Sequence, residues 1–299
     1  MIASNRQEFL CCDYSRQAGE QLFATATRVD VWLLLEYNRP WGGQALDESE
    51  LPQAIKDRLN AMLGSLPNGR FQFIRRLQPK GGIAFYVAVS HELHPQLYKF
   101  ELSTYDDLLG LDISGGQLPV EHATDERLIA VCTNAKRDRS CGRYGAEVFR
   151  IMLNVGGDAV WQTTHIGGHR FAATCVCLPE GVAYGRIDPG DTQQIVEAQR
   201  QGYIRLENYR GRSCYDAVVQ AADYFLREHT GVCSLPGFRL LSTEATAENT
   251  TTVRFEALAD GRVHRVDVLK DISGVQTYQN STDAQPTVVP QFRLVAVEP

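Results

Sequence analysis

The chain has 299 residues, 43% hydrophobic and 22% charged, a globular composition that argues against extensive disorder. Its 30 Lys and Arg against 36 Asp and Glu give a formal net charge of −6, which disfavours a general binder of nucleic acid or anionic membranes. The longest uninterrupted apolar run, Ile83 to Val89, is too short for a membrane helix, and the first residues lack a secretory pattern, so a cytoplasmic protein is expected.

Val29 to Tyr37 is rich in residues that suit a buried strand, and turn residues close it at Asn38 to Gly43. From Glu50 to Leu63 the positions Leu51, Ile55, Leu59, Met62 and Leu63 share one helical face. Ser49 is placed to cap that helix, and Pro52 falls in the first turn, where it is tolerated. Phe71 to Leu77 and Ile83 to Val89 predict two strands joined by Pro79 to Gly82. This β-α-β-β order is half of a thioredoxin-like pattern and fills an N-terminal region, residues 1–122.

A second region, residues 123–210, opens with a strand from Arg127 to Thr133 and a polar loop from Asn134 to Ser140. A helix follows to about Val155, ended by Gly156 and Gly157. Ala159 to Thr164 predicts the next strand. Beyond His165-Ile-Gly-Gly-His169, Phe171 to Leu178 and Val182 to Tyr184 form a hairpin pattern, and Asp191 caps a helix that Gly202 stops. The sum is β-α-β-β-β-α, the thioredoxin-like order. The two regions are alike enough in order to hint at a duplication, although no residue-level repeat is visible. The last region, residues 211–299, holds a helix from Tyr215 to His229, a hairpin of Thr252 to Ala257 and Arg262 to Leu269 around Asp260-Gly261, and a strand from Gln291 to Val297. The expected class is therefore α/β (α+β): a thioredoxin-like domain preceded by a β-α-β-β region and followed by a helix and β-hairpin extension.

Cysteines stand at 11, 12, 132, 141, 175, 177, 214 and 233. With no sign of export they are expected to be free thiols, metal ligands or redox groups rather than disulfides. The pattern richest in chemistry is Cys132-Thr-Asn-Ala-Lys-Arg-Asp-Arg-Ser-Cys141 followed by His165 and His169. Cys132 ends a strand and Cys141 begins a helix that Ser140 can cap, so the amides and dipole there should favour ionisation of Cys141. Gly167 and Gly168 permit a tight turn that aims both histidines at one point. Two thiolates and two imidazoles suit zinc or an iron–sulfur cluster. The eight residues between the cysteines are wider than a zinc knuckle, which favours the larger cluster without excluding zinc.

The stretches Cys132-Thr, Arg137-Asp138, Cys141 and Gly145, then His165-Ile-Gly-Gly-His-Arg-Phe-Ala-Ala-Thr174, then Leu178-Pro-Glu-Gly and Tyr184-Gly-Arg186, resemble the sucrase/ferredoxin-like family. The N-terminal run Val31-Trp-Leu-Leu-Leu-Glu36, with Pro40-Trp-Gly42, is similar to bacterial members. The likeness covers most of residues 11–200 and fades after about 210. It implies a thioredoxin-like ferredoxin with a [2Fe-2S] cluster held by Cys132, Cys141, His165 and His169. Members often carry His and a second Cys where this chain has Asn134 and Ser140. A cluster with two neutral imidazoles is less negative than an all-cysteine one, so a higher, pH-dependent potential is expected.

Several other groups are assigned bland roles. Cys175 and Cys177 are expected as buried free thiols, Cys11 and Cys12 as ordinary thiols near the terminus, and Cys214 and Cys233 as helix-flanking core residues. His91, His94, His122, His229 and His264 are expected in solvent. Arg170 either serves the surroundings of the cluster or pairs with a carboxylate. Lys136 to Arg139 is a solvated loop or a docking patch for an acidic partner. No carboxylate pair stands out as glycosidase machinery, so sucrose hydrolysis is not expected. The expected function is a redox carrier that serves an unidentified partner protein or reductase, not a stand-alone enzyme. The alternatives are a structural zinc module on the same four residues and a thiol oxidoreductase with Cys132 or Cys141 as nucleophile and His165 as base.

Overall fold

A computed structural model of the protein describes residues 9–113 and 118–299. Helix α1 (Cys11–Gln17) precedes β1 (Val31–Glu36), α2 (Gln53–Gly64), β2 (Gly69–Arg75), β3 (Ile83–Val89) and β4 (Gln96–Leu102). The chain continues through β5 (Ala123–Thr124), β6 (Leu128–Cys132), α3 (Arg139–Gly156), β7 (Val160–Thr163), β8 (Cys175–Leu178), β9 (Val182–Tyr184), α4 (Thr192–Gln201) and β10 (Tyr209–Arg212). It ends with α5 (Ala217–Thr230), β11 (Phe238–Ala247), β12 (Thr250–Ala257), β13 (Val263–Thr277) and β14 (Thr287–Glu298).

The first ten strands form one sheet in the order β10-β9-β8-β6-β7-β2-β1-β3-β4-β5. In the first half β1 runs parallel to β2 and antiparallel to β3, which pairs antiparallel with β4. In the second half β6 runs parallel to β7 and antiparallel to β8, which pairs antiparallel with β9. The halves meet where β2 and β7 pair antiparallel, with Ile74 opposite Thr163. The order reads the same from either side of that seam. The mixed α/β class and the β-α-β-β-β-α order of the second half follow the sequence expectation. β4 goes beyond the sequence expectation, because half-buried Lys99 and exposed Glu101 blur the apolar alternation.

Side-chain alternation in these strands serves two faces. Val31, Leu33, Leu35 and Phe73 pack with Ile55 and Leu59 of α2, and Ile129, Val131 and Val160 pack with Val148 and Met152 of α3. The residues between them, including Trp32, Leu34, Tyr86, Leu128 and Trp161, form a single core shared by both halves. Ser90 Oγ, just past β3, donates to the Pro179 carbonyl, just past β8, at 2.8 Å. Four strands separate β3 from β8, which in a flat sheet would be about 24 Å at ~4.8 Å per strand. The sheet therefore curls, helices outside, around the shared core, and Cys132 and Cys141 belong to that core.

Two caps differ from expectation. Helix α2 starts later than the apolar pattern suggests: Pro52 stands at its N-cap, and the Ser49 hydroxyl donates to the Leu46 carbonyl at 2.7 Å. Helix α3 is capped by Asp138, whose carboxylate accepts from Ser140 N at 2.8 Å, so Ser140 lies inside the helix. The C-terminal region carries a four-stranded sheet, β11-β12-β13-β14, rather than a hairpin and one strand. β11 carries no sequence signal because most of its residues are exposed and leave no apolar period. Phe225 and Leu226 of α5 pack on this sheet against Phe255 and Val266. No helix among the described residues is long and apolar enough to cross a membrane.

Candidate metal centre

Cys132 is the last residue of β6 and Cys141 the third of α3, both almost fully buried. His165 lies in the loop after β7, half-buried, and His169 starts a short 3-10 turn at 8% exposure. Gly167 at φ 98° and Gly168 at φ 74° allow the left-handed turn between the histidines. The turn brings the two rings to a centroid separation of 4.8 Å.

The structure joins the four residues in a chain of contacts. His165 Nδ1 lies 4.0 Å from Cys132 Sγ and 3.8 Å from Cys141 Sγ. Its Nε2 lies 3.4 Å from His169 Nδ1. The ligand atoms of Cys132, Cys141 and His165 all fall within 4.8 Å of one another, close enough for one metal. His169 stands one step further, across the His165 ring. At 2.6 Å from the Gln279 carbonyl, which only accepts, His169 Nε2 must carry the proton and donate. That leaves the Nδ1 lone pair of neutral His169 directed toward His165. A carbonyl behind a histidine in this way is the usual support for a metal-binding imidazole.

Charge in the pair of thiols is divided unequally. A hydrogen bond from Cys141 lowers the Cys132 pKa, burial opposes it, and His165 adds to the lowering. Cys141 is raised, first by that same bond to Cys132 and then by burial, with Asp138 and Cys11 adding unfavourable negative charge. The expected preference for ionisation at the helix N-terminus is thus reversed: the bond to Cys132 and burial raise Cys141, and the same bond favours the thiolate at Cys132.

Neighbouring residues fix the histidine loop. Arg70 Nη2 donates to the His165 carbonyl at 2.8 Å, and Gln72 Nε2 to the same oxygen at 3.2 Å. Both stand on β2, so the first half of the sheet holds a ligand of the second. Arg210, fully buried, donates from Nη1 to the Gly167 carbonyl at 3.0 Å, from Nε to Thr25 Oγ1 at 3.0 Å, and from Nη2 to the Thr25 carbonyl. Burial, reinforced by the nearby Arg170 and Arg70, lowers its pKa to about 9. Arg210→Ala is expected to cost about 2–4 kcal/mol, because it strands buried acceptors, and to lower the melting temperature. A variant with wild-type melting would contradict this account of the loop.

Some contributors had no signal in the sequence. Cys11, expected as an ordinary thiol near the terminus, is buried. Its Sγ lies 3.3 Å from Ser281 Oγ and 3.5 Å from Ser140 Oγ, and burial raises its pKa. Cys12 is likewise buried, with its pKa pushed up to about 12. Asp138 accepts from Ser281 N at 3.0 Å and Ser281 Oγ at 2.9 Å, and its Oδ2 lies 3.9 Å from His169 Nε2. Gln279 and Ser281, in the loop between β13 and β14, bring the C-terminal sheet to the centre. Asp138 takes the capping place expected of Ser140. Cys11, Gln279 and Ser281 lie more than 100 residues away from their partners, so no local pattern marks them.

Arg170 pairs with buried Glu20 at 2.7 Å. Cys175 and Cys177 are buried free thiols in the α3 core, while Cys214 and Cys233 are partly buried. His91, His94 and His229 are exposed, His122 and His264 half-buried, and Lys136, Arg137 and Arg139 exposed.

Burial, then the neighbouring His165, lowers the His169 pKa. In the unfolded chain the imidazole titrates near 6.5. As the pH falls, the unfolded state binds its proton first, so the stability from neutral His169 is present above that value and lost as pH drops through the folded one. Metal-free protein should lose melting temperature from about pH 7 toward about pH 5, and His169→Gln should flatten the loss. Equal slopes would contradict this.

The profile of the sucrase/ferredoxin-like family matches residues 22–211, well over half of the chain. The chain is 31% identical over 131 residues to "Altered inheritance of mitochondria protein 32" of Meyerozyma guilliermondii, a match covering 40% of this chain and 46% of that protein. It is 27% identical over 96 residues to the protein of the same name from Candida glabrata, covering 27% of this chain and 31% of that one. The matched stretch spans less than half the length of either relative. No solved structure matches significantly. On a match that takes in both cysteines, both histidines and the seam between the half-sheets, the chain belongs to the sucrase/ferredoxin-like family.

Proposed function

We propose that Cys132, Cys141, His165 and His169 hold a [2Fe-2S] cluster and that the protein carries single electrons to and from a partner protein or reductase. The observation that carries this reading is the contact chain of two buried sulfurs, His165 and His169, with the far nitrogen of His169 anchored on a carbonyl. The donor set is soft sulfur plus imidazole, which suits iron–sulfur chemistry, and the wide loop between the cysteines leaves room for more than one ion. The bound group would supply one-electron chemistry at a potential raised by its neutral ligands.

The chain's own residues supply the rest. Burial of Cys132 and Cys141 excludes water from the sulfurs, and Gln279 holds the proton of His169 on Nε2. His165, half-buried, is the most exposed of the four and gives the shortest way out for an electron. The eight free thiols suit a reducing compartment such as the cytoplasm. The relatives' name refers to inheritance of mitochondria, and a role connected with that organelle is compatible with an electron carrier.

A second reading has one observation in its favour: the lowered Cys132 thiol beside His165 is also what a thiol oxidoreductase uses. Anaerobic purification followed by a visible spectrum and assays for iron, sulfide and zinc separates the readings. Red-brown protein with equal iron and sulfide is expected. Colourless protein with one zinc would indicate a structural zinc module, and colourless metal-free protein a thiol enzyme. Either result overturns the cluster.

A further inference from the structure

The symmetry of the sheet order gives every position around the centre a counterpart in the other half. Ile74 and Thr163 face each other on the seam. Glu36 pairs with Ile74 as Cys132 pairs with Thr163. The next residues confirm the register: Tyr37 N donates to the Ile74 carbonyl, and Thr133 N to the Thr163 carbonyl. Glu36 is therefore the counterpart of Cys132. Arg76, two residues past Ile74, is the counterpart of His165, two past Thr163. Lys80 falls in the loop that corresponds to the one carrying His169.

These counterparts line a cavity of about 480 Å³ at the other end of the curled sheet. It holds no cysteine or histidine, so it is not a second metal centre of the same kind. Most of its charges are satisfied within the protein: Lys80 by Asp158, Lys99 by Glu126 and Glu101, and Arg127 by Glu180. Two are not. Glu36 is 3% exposed, and while its Oε2 accepts from Ala84 N at 3.2 Å, its Oε1 is buried without a partner. Arg76 makes no ion pair among the described residues, lies with its guanidinium 4.2 Å over the Trp161 ring, and has an unpartnered Nε. A buried carboxylate oxygen without a partner is costly unless something bridges it. Arg76, half-buried and near Glu126 and Asp158 without a close ion pair to either, leaves its guanidinium available to a ligand anion.

We infer that this cavity binds a free α-amino acid, its ammonium directed to Glu36 and its carboxylate to Arg76. A ligand with both charges pairs both orphans at once, whereas an anion alone leaves the glutamate unpaired and a cation alone leaves the arginine. Ile83, Ala84, Leu128 and Ala159 supply apolar wall, so amino acids with apolar side chains should bind best. The inference does not depend on what the Cys–His centre holds.

The test is calorimetric titration of the full-length protein with the common L-amino acids, using 3-methylbutylamine and 4-methylpentanoate as single-charge forms of leucine. Leucine or a similar residue is expected to bind, and both single-charge analogues to bind at least about tenfold more weakly. Glu36→Gln keeps the bond to Ala84 and should lose amino-acid binding, and Arg76→Gln should do the same. In both variants the metal content of the Cys–His centre should stay at the wild-type level. Absence of binding by every amino acid at millimolar concentration, equal binding of 4-methylpentanoate, or wild-type affinity in both variants would overturn the inference. The analogue comparison uses unaltered protein, so it decides the matter even where a variant misfolds.

Discussion

Cys132→Ser and Cys141→Ser are each expected to give folded protein that contains less than about a tenth of the wild-type iron and has no visible chromophore. The effect on metal should far exceed the effect on stability. Serine is close in size to cysteine, and each site lies at an element end, Cys132 at the end of a strand and Cys141 in the first turn of a helix. Burying a hydroxyl in place of each thiol costs about 1–3 kcal/mol. The ligand role has no substitute, because a neutral hydroxyl does not replace a soft thiolate on iron. Cys11 sets a useful control. Its sulfur lies against Ser140 and Ser281 and within 4.8 Å of Asp138 and a His169 ring nitrogen, but it is not one of the four proposed ligands, so Cys11→Ser should keep the iron. Iron assay and melting temperature on the three variants check this together. Full iron in either ligand variant, or equal loss in all three, would refute the assignment.

The histidines should behave differently, and differently from each other. His165→Cys and His169→Cys each exchange a neutral ligand for a thiolate, adding a negative charge that makes reduction harder. Variants that retain the cluster should show a lower potential, shifted from the range of about −150 to +300 mV typical of His-ligated centres toward about −400 mV. They should also show a weaker pH response, since one imidazole proton has been removed. His169→Cys should be the less stable of the two. It removes the donor to the Gln279 carbonyl and the ring beside Asp138, whereas among the described residues the ring nitrogens of His165 face only the other proposed ligands. Potentiometry across pH and melting curves check both claims, and unchanged potentials in both variants would refute them.

The parts of this architecture legible in the sequence are those with local signals. Ile83 to Val89 announces a strand by uninterrupted apolar, β-prone residues and is one over those residues. The helix ended by Gly156 and Gly157 shows a clear apolar face at Val148 and Met152. The four candidate ligands stand out in the sequence as chemistry-bearing residues at element ends, with glycines close to Cys141 and between the histidines. The rest depends on tertiary context. The exposed edge strand β11 has no period to read. Helix α1 is only 7 residues long. The doubling of the half-sheet is carried by strand order, while the residues at equivalent places, Cys132 and Glu36 or His165 and Arg76, are chemically unrelated. The Gln279 carbonyl that fixes His169 is a backbone group, which no side-chain pattern reveals.

Pulsed EPR of the reduced, anaerobically purified protein tests the central claim most directly. Two distinct nitrogen couplings are expected, both converted to the 15N pattern when histidine alone is labelled with 15N, and one lost in each of His165→Cys and His169→Cys. A reduced signal with no histidine nitrogen, or one that keeps both couplings when either histidine is replaced, would contradict a centre held by these four residues.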